Sequence, residues 1–402
     1  MPLPSGFPEV DFDQYHRHQV PELLRNGRAA AVGRAAAHLA PLGLRLPDGR
    51  AFTYVPTAGG LDVIPGDDAA TDVIELADES WQGFVHELEA GAGLLYSDRA
   101  RSLRGTALAL MQWETPLRVL YHGRPAYDPN RIELHDLEGS RLDVERVFDL
   151  ADDRARMAHF LATAGYLVIR GVFGADEVAR FRTEADELRT EARQGDKLSW
   201  WGKNAHGEEV LCRVTRAASK PALGALRHDP RLLGLKDLAR ETLVYRRGEG
   251  DGVAVIFKHP GIAEGLGDLP WHRDCGMGGH AVMCPTAIAS VFLNEGNPQT
   301  GELAFLPGSR GTAFNAHDPL CRGPLAAAHF HAQPGDVTLH YGDTIHSAPP
   351  PTPGCAEYRI SAILGYSRPD AHNHRDESSY NDALHRRDDG QVEHLNDLAE
   401  KL

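Results

Sequence analysis

Apolar and polar positions follow helical spacing in the first part of this chain and give way to short β-like runs after residue 243. The stretch VPELLRNGRAAAVGRAAAHLAPLGL is rich in Ala, Leu and Arg and predicts a helix that stops near Pro41 and Gly43. In TDVIELADESWQGFVHELEAG, Val73, Ile74 and Leu76 predict a short strand. Asp78 then caps a helix in which Trp81, Phe84, Val85 and Leu88 share one apolar face. RARSLRG followed by TALALMQWETPLRVLYHG repeats the strand-then-helix theme. These segments predict a small α+β domain over residues 1–140, with its Trp, Leu and Met side chains as core.

A second unit, residues 141–370, opens near Leu142 with a helix, a turn at Gly165 and the strand YLVIRGV. An Asp176-led helix follows, in which Val178, Phe181 and Leu188 recur near helical spacing. Beyond residue 243 come VAVIFK, TAIASVFLNE, ELAFLPGS, DVTLHY and YRISAILGY, separated by Gly and Pro. Short strands with this punctuation predict a β-sandwich or barrel of jelly-roll type. The expected class is therefore α+β: a double-stranded β-helix (jelly-roll or cupin-like) core with flanking helices, plus the smaller N-terminal α+β domain. Residues 371–402 read as a polar tail outside the core.

Composition narrows the function. With 42% hydrophobic and 25% charged residues the chain reads as a soluble globular protein. No apolar run is long enough to span a bilayer, and the opening MPLPSGFPEVDFDQ lacks the basic and apolar regions of a secretory signal. The five cysteines are scattered without a C-x-x-C pair, which points to reduced thiols and a cytoplasmic location instead of a disulfide or zinc framework. A net charge of -15 argues against a general nucleic-acid or anionic-membrane binder.

The chemistry concentrates in LPWHRDCGMGGH, residues 269–280. In a strand His272 and Asp274 project from one face, as two parts of a metal site or as an ion pair at a strand end. Downstream, PGDVTLHYGDTIHSAPPPTPGCAEYRISAILGY supplies His346 and, on the next strand, Arg359. Two neutral imidazoles and one carboxylate on one face of an octahedral metal leave three positions open, the arrangement of non-haem Fe(II) oxygenases. A bidentate 2-oxo acid and O₂ would fill those positions. Its distal carboxylate needs a cationic fork, which Arg359 supplies, with Ser361 on the same strand face.

Several motifs in order resemble the phytanoyl-CoA dioxygenase family of Fe(II)- and 2-oxoglutarate-dependent oxygenases, over roughly residues 155–367. They are GYLVIRGVFGADEVARFRTEADEL, the IFKHPG segment leading to LPWHRD, the hairpin GELAFLPGSR and the strand GDVTLHYGDTIHSAPP. The hairpin carries Arg310 where the family usually has His, and the loop before Arg359 is Pro-rich and longer than usual. The resemblance implies His272, Asp274 and His346 as iron ligands, Arg359 as the 2-oxoglutarate anchor, and Lys258 and Ser361 as further pocket residues. It also implies consumption of 2-oxoglutarate and O₂, with release of succinate and CO₂. Related halogenases have a small residue where Asp274 stands, so hydroxylation or desaturation is expected.

His340 is the rival of His346 as a ligand if one strand runs through both, but Gly342 and Asp343 interrupt it. His329–His331 reads as alternation on a polar edge strand, and His372–His374 as solvated tail. The glycines around residues 276–279 lack a nucleotide fingerprint and read as flexible backbone beside the metal, part of a lid, with Trp271 as a pocket wall. In LSWWGKNAHGEEVLCRV, Trp200, Trp201, Lys203, Asn204 and His206 are candidate substrate contacts, by position relative to the family. The N-terminal unit resembles sterol-carrier-type lipid-binding modules, which implies a lipid or acyl substrate; a specialised metabolite is the other class expected. Two alternatives stand beside the oxygenase: a non-catalytic metal- or 2-oxoglutarate-binding sensor on the same scaffold, and a zinc hydrolase. The hydrolase lacks an evident general base and leaves Arg359 unexplained.

Overall fold

A computed structural model describes residues 3–245, 252–264, 269–275, 280–314, 325–352, 354–355, 357–372, 394–399 and 401. Its first sheet contains β1 (Leu42–Arg45), β2 (Ala51–Thr57), β3 (Gly60–Pro65), β4 (Asp72–Leu76) and β5 (Ala100–Arg104). They lie in the order β3-β2-β1-β4-β5, with β1 and β4 parallel. The long N-terminal helix expected from the Ala/Leu/Arg pattern is interrupted. Asn26 and Gly27 leave helical geometry, Gly27 with a φ of 97°, and the regular stretch is Ala29–Ala36. Asp78 does not cap its helix: Ala77 takes that position. Asp78 lies in the first turn, where its carboxylate suits the positive helix end and accepts from Gln82 Nε2 at 2.7 Å. Likewise Gly174, not Asp176, precedes the helix Ala175–Glu191.

The interior of this unit is a cluster of rings: Phe12, Tyr15, His16, Phe52, Tyr54, Trp81 and Tyr121. Burying polar rings costs free energy unless their polar atoms are paired. Here His16 Nδ1 meets Phe12 O at 2.7 Å, His16 Nε2 meets the Tyr54 hydroxyl at 2.7 Å, and Tyr54 meets the Tyr121 hydroxyl at 2.6 Å. The C-terminal end contributes too. Leu395, in the helix Leu395–Ala399, is buried in this core, so the chain after residue 371 is not wholly outside it as its polarity suggested.

The larger unit holds β6 (Tyr166–Ile169), β7 (Ser199–Asn204), β8 (Glu209–Val214), β9 (Val244–Tyr245), β10 (Val253–Lys258) and β11 (Ile262–Glu264). It continues with β12 (Leu269–His272), β13 (Thr286–Phe292), β14 (Ala304–Phe305), β15 (Ala328–His329), β16 (Val337–Tyr341), β17 (His346–Ala348) and β18 (Arg359–Ser367). The large sheet runs β11-β7-β8-β10-β18-β13-β16-β6, with β9 beside β18, and the small sheet runs β12-β17-β14-β15. From β12 to β14, and again from β15 to β18, the strands alternate between the two sheets, an order consistent with a double-stranded β-helix core flanked by helices. One face of the large sheet presents Val255, Ala289, Leu339 and Leu364 to a core shared with Met157, Phe160, Phe181 and Leu188 of two helices, Arg154–Ala164 and Ala175–Glu191. Residues of opposite parity face the small sheet.

The two units touch through Ala313, which is buried in the first core. Its N–H donates to Pro125 O at 2.7 Å, and Tyr127 N–H donates to Ala313 O at 2.9 Å. No helix among the described residues is long and apolar enough to cross a membrane.

Candidate metal centre

Strand pairing sets the first two ligands. β12 runs antiparallel to β17 with His272 directly opposite His346, and their ring centroids are 4.3 Å apart. Asp274 is not on the strand with His272: β12 ends at His272, and Asp274 lies in the turn that follows. The turn, not the pleat, brings the carboxylate round. Asp274 Oδ1 lies 3.9 Å from His272 Nε2 and 3.8 Å from His346 Nε2. One ligand atom from each residue falls within 4.8 Å of the others. Two imidazole nitrogens and a carboxylate oxygen thus form one triangular face, the donor set of a 2-His-1-carboxylate metal site.

Hydrogen bonds hold that face in its ligating form. His346 Nδ1 donates to Thr344 O at 3.0 Å, which leaves the Nε2 lone pair directed at the site. Thr344 is itself fixed, its hydroxyl donating to Gly165 O at 2.8 Å. The second oxygen of Asp274 accepts from His340 Nε2 at 2.9 Å. Gly342 and Asp343 do separate β16 from β17, and His340 thereby becomes the residue that orients the carboxylate ligand. Burial and the neighbouring imidazoles push His346 well below its usual range, so it is neutral. Burial raises Asp274, but the charges of His346, His340 and His272 and the His340 hydrogen bond outweigh it and hold the carboxyl ionised. Neutral imidazole and ionised carboxylate are the states a metal requires.

Register identifies what faces this triangle from the large sheet. His340 and Thr338 on β16 pair with Ile288 and Ser290 on β13, and Ser290 and Phe292 pair with Ile363 and Ser361 on β18. Ser361 and Arg359 pair in turn with Ile256 and Lys258 on β10. Directly opposed residues share a face, so Arg359, Ser361 and Lys258 lie on the face whose His340 reaches Asp274. Arg359 is 5% exposed and Lys258 2%. No hydrogen bond or ion pair to the Arg359 guanidinium occurs among the described residues, and burial alone lowers it to about 10. On the same face Thr338 Oγ1 and His340 Nδ1 are buried without a partner among the described residues. A buried guanidinium in this position calls for an anion.

The sequence profile of the phytanoyl-CoA dioxygenase (PhyH) family matches residues 161–354, which contain all three ligands. Over this stretch the chain belongs to the phytanoyl-CoA dioxygenase family. Membership places it among the Fe(II)- and 2-oxoglutarate-dependent oxygenases, and the donor set of His272, Asp274 and His346 fits that metal. Among solved structures it is similar to AviO1 from Streptomyces viridochromogenes Tue57, with 24% identity over 55% of this chain and 97% of that one, TM-score 0.44. It is also similar to EctD from S. alaskensis with 2-oxoglutarate and 5-hydroxyectoine, at 20% identity, 62% and 88% coverage and TM-score 0.44. A further similarity is to HygX from Streptomyces hygroscopicus with nickel, 2-oxoglutarate and hygromycin B bound, at 20% identity, 60% and 98% coverage and TM-score 0.42. No curated protein matches the chain.

Other expected site residues of this family member fall in two groups. Trp200 pairs in register with Arg213, whose guanidinium lies 4.6 Å from the Trp200 ring centroid, and Arg213 pairs with Ile256. Register therefore carries Trp200 onto the face of Arg359 and Lys258. Trp201, after the register shift, packs against the main core and donates to Ser199 Oγ at 2.9 Å. Lys203 pairs with Glu209 at the end of the β7–β8 hairpin. Asn204 builds its tip, Oδ1 accepting from His206 N at 2.9 Å and Glu208 N at 3.0 Å, and His206 is exposed there. Trp271 is half-buried in the part of β12 where register shifts. Arg310, standing in for the family's usual His, lies 3.6 Å from the Tyr341 ring centroid and pairs with Glu241 at 3.0 Å and Asp343 at 3.5 Å. His329 is on edge strand β15 as expected. The glycine-rich residues 276–279 and residues 373–374 of the His-rich tail motif lie outside the described residues. Sequence reasoning missed Arg213, for which strand parity from Ile256 is visible only once the sheet order is known.

Proposed function

We propose that the chain is an Fe(II)- and 2-oxoglutarate-dependent dioxygenase that hydroxylates or desaturates an unactivated C–H bond of a small organic substrate, releasing succinate and CO₂. The observation that carries this reading is Arg359: a buried guanidinium without a partner among the described residues, on the sheet face opposed to the His272–Asp274–His346 triangle. A sensor of metal alone, or a zinc hydrolase, has no use for it.

In this reading His272, Asp274 and His346 would hold the metal through two imidazole nitrogens and one carboxylate oxygen. Arg359 would hold the distal carboxylate of 2-oxoglutarate, since a planar guanidinium offers a carboxylate a paired donor fork and an ammonium does not. The Ser361 hydroxyl and the Lys258 ammonium complete that pocket. His340 fixes Asp274, and Thr344 fixes His346, so neither ligand swings when substrate enters. When bound, iron and 2-oxoglutarate with O₂ supply the oxidising power; the protein supplies orientation and exclusion of water. Trp200 with Arg213, and Trp271 beside His272, border the substrate. The substrate class is an apolar, lipid- or acyl-like compound or a specialised metabolite, and residues 1–140 are the accessory unit beside the oxygenase.

The test is anaerobic addition of Fe(II) and then 2-oxoglutarate to metal-free protein. A weak visible charge-transfer band is expected in the wild type and lost in Arg359→Ala and His346→Ala. Folded protein that gives no band would sink the assignment. Succinate formation in air, abolished by His346→Ala, then separates an enzyme from a binding protein.

A further inference from the structure

We propose that Cys275, His280 and Cys284 form a second metal site, separate from the iron triangle, that takes Zn(II) through two thiolates and one imidazole. The three residues are spread along the chain as C-x₄-H-x₃-C, without the C-x-x-C spacing that signals zinc in a sequence. Folding brings one ligand atom of each within 4.8 Å of the others. Cys275 Sγ and His280 Nδ1 are 3.5 Å apart. A Zn–S bond of about 2.3 Å and a Zn–N bond of about 2.0 Å at a tetrahedral angle span about that edge. Hydrogen bonds link the same three side chains, with Cys284 meeting both Cys275 and His280, and they leave two thiols and one imidazole converging on one point, a donor set that zinc takes.

Donor chemistry separates this cluster from the iron site. Sulfur ligands select zinc over the harder cations that nitrogen and carboxylate oxygen accept. Two thiolates and Zn(II) sum to no net charge, which suits a place where Cys275 is buried and His280 and Cys284 half-buried. On binding, each thiol gives its proton to solvent as its sulfur bonds the metal, and no electron moves. The fourth position remains for water or a neighbouring side chain; Glu87 and His122 interact electrostatically with His280 from the first unit.

The backbone around the cluster is held on several sides. Cys275 N–H donates to Gly342 O at 3.2 Å, Ala281 N–H to Glu87 O at 3.2 Å, and Cys284 N–H to His280 O at 3.0 Å. Arg368 Nη1 donates to Cys284 O at 2.9 Å. A zinc ion here would tie the residue after the iron ligand Asp274 to a helix that touches the first unit. The four described cysteines are free, so both sulfurs are available.

The experiment uses the full chain, stripped of metal under reducing conditions and titrated with Co(II), then Zn(II). Expected is an intense near-ultraviolet thiolate-to-cobalt band that saturates at one equivalent and is bleached by zinc. The band survives His346→Ala, because the iron triangle has no sulfur, and is lost in Cys284→Ser and in His280→Ala. Elemental analysis shows a matching loss of zinc in those two variants. The proposal is overturned if natively folded wild type gives no such band, if the band persists undiminished in His280→Ala, or if it vanishes with His346→Ala. It is equally overturned if Cys275 and Cys284 are recovered as a disulfide from protein kept with zinc. Should Cys284→Ser fail to fold, His280→Ala decides by itself.

Discussion

His340 Nε2 reaches Asp274 from the opposite sheet at 2.9 Å, and this single contact decides which way the carboxylate faces. Removing such an orienting partner typically lowers metal affinity by about 10–100-fold. His340→Ala is therefore expected to weaken Fe(II) binding to that extent with the fold intact, and His340→Gln, which keeps an N–H donor, to recover part of it. Fe(II) titration of both variants checks this; equal affinity in wild type and His340→Ala would remove the orienting role. Arg359→Lys keeps the charge and loses the fork. One charge-assisted hydrogen bond contributes about 1.5–3 kcal/mol, so 2-oxoglutarate affinity should fall about 10–100-fold while metal affinity holds. The ligands themselves were legible because their spacing and the order of motifs survive in one dimension. The role of His340 was not: strand parity made it a rival ligand, and only the packing of one sheet against the other shows which oxygen it meets.

Helix Arg154–Ala164 ends at Gly165, whose φ of 96° favours glycine and whose position a Cβ would share with Thr344 Oγ1 at 2.5 Å. Gly165→Ala is expected to cost about 1–3 kcal/mol through backbone strain and displacement of Thr344. Because Thr344 O holds His346, metal affinity should fall with the melting temperature; calorimetry and Fe(II) titration on one preparation test the link. The strands after residue 243 were readable from β-branched runs cut by Gly and Pro. The β7–β8 hairpin was not, since its tip is polar and its turn depends on the side chain of Asn204. Asp78 and Asp176 looked like caps because caps and first turns both favour carboxylates, for different physical reasons.

Across the whole molecule the ring cluster of the first unit ties stability to pH. Burial lowers His16 to about 4. Between its ordinary value of about 6.5 and that value, the unfolded chain binds a proton that the native chain refuses. Stability therefore falls as pH drops through this window and levels off below it. The contribution is on the order of 3 kcal/mol, and His16→Phe should flatten the difference in unfolding free energy between the two ends of the window. If denaturant titrations at each pH gave the same difference for wild type and variant, His16 would bind its proton equally in the native and unfolded chains and the link would be refuted.

The metal ligands and the proposed anchor of the co-substrate belong to different sheets. His272 and His346 are strand neighbours on the small sheet, and Arg359 sits on the large one. The centre is thus a gauge of the gap between two layers. A substitution that loosens the sandwich, far from any site residue, should leave the layer that grips the metal intact and move the other away from it. Damage to this protein would then register as a rising 2-oxoglutarate requirement together with weaker iron binding, because the His340–Asp274 hydrogen bond crosses the same gap.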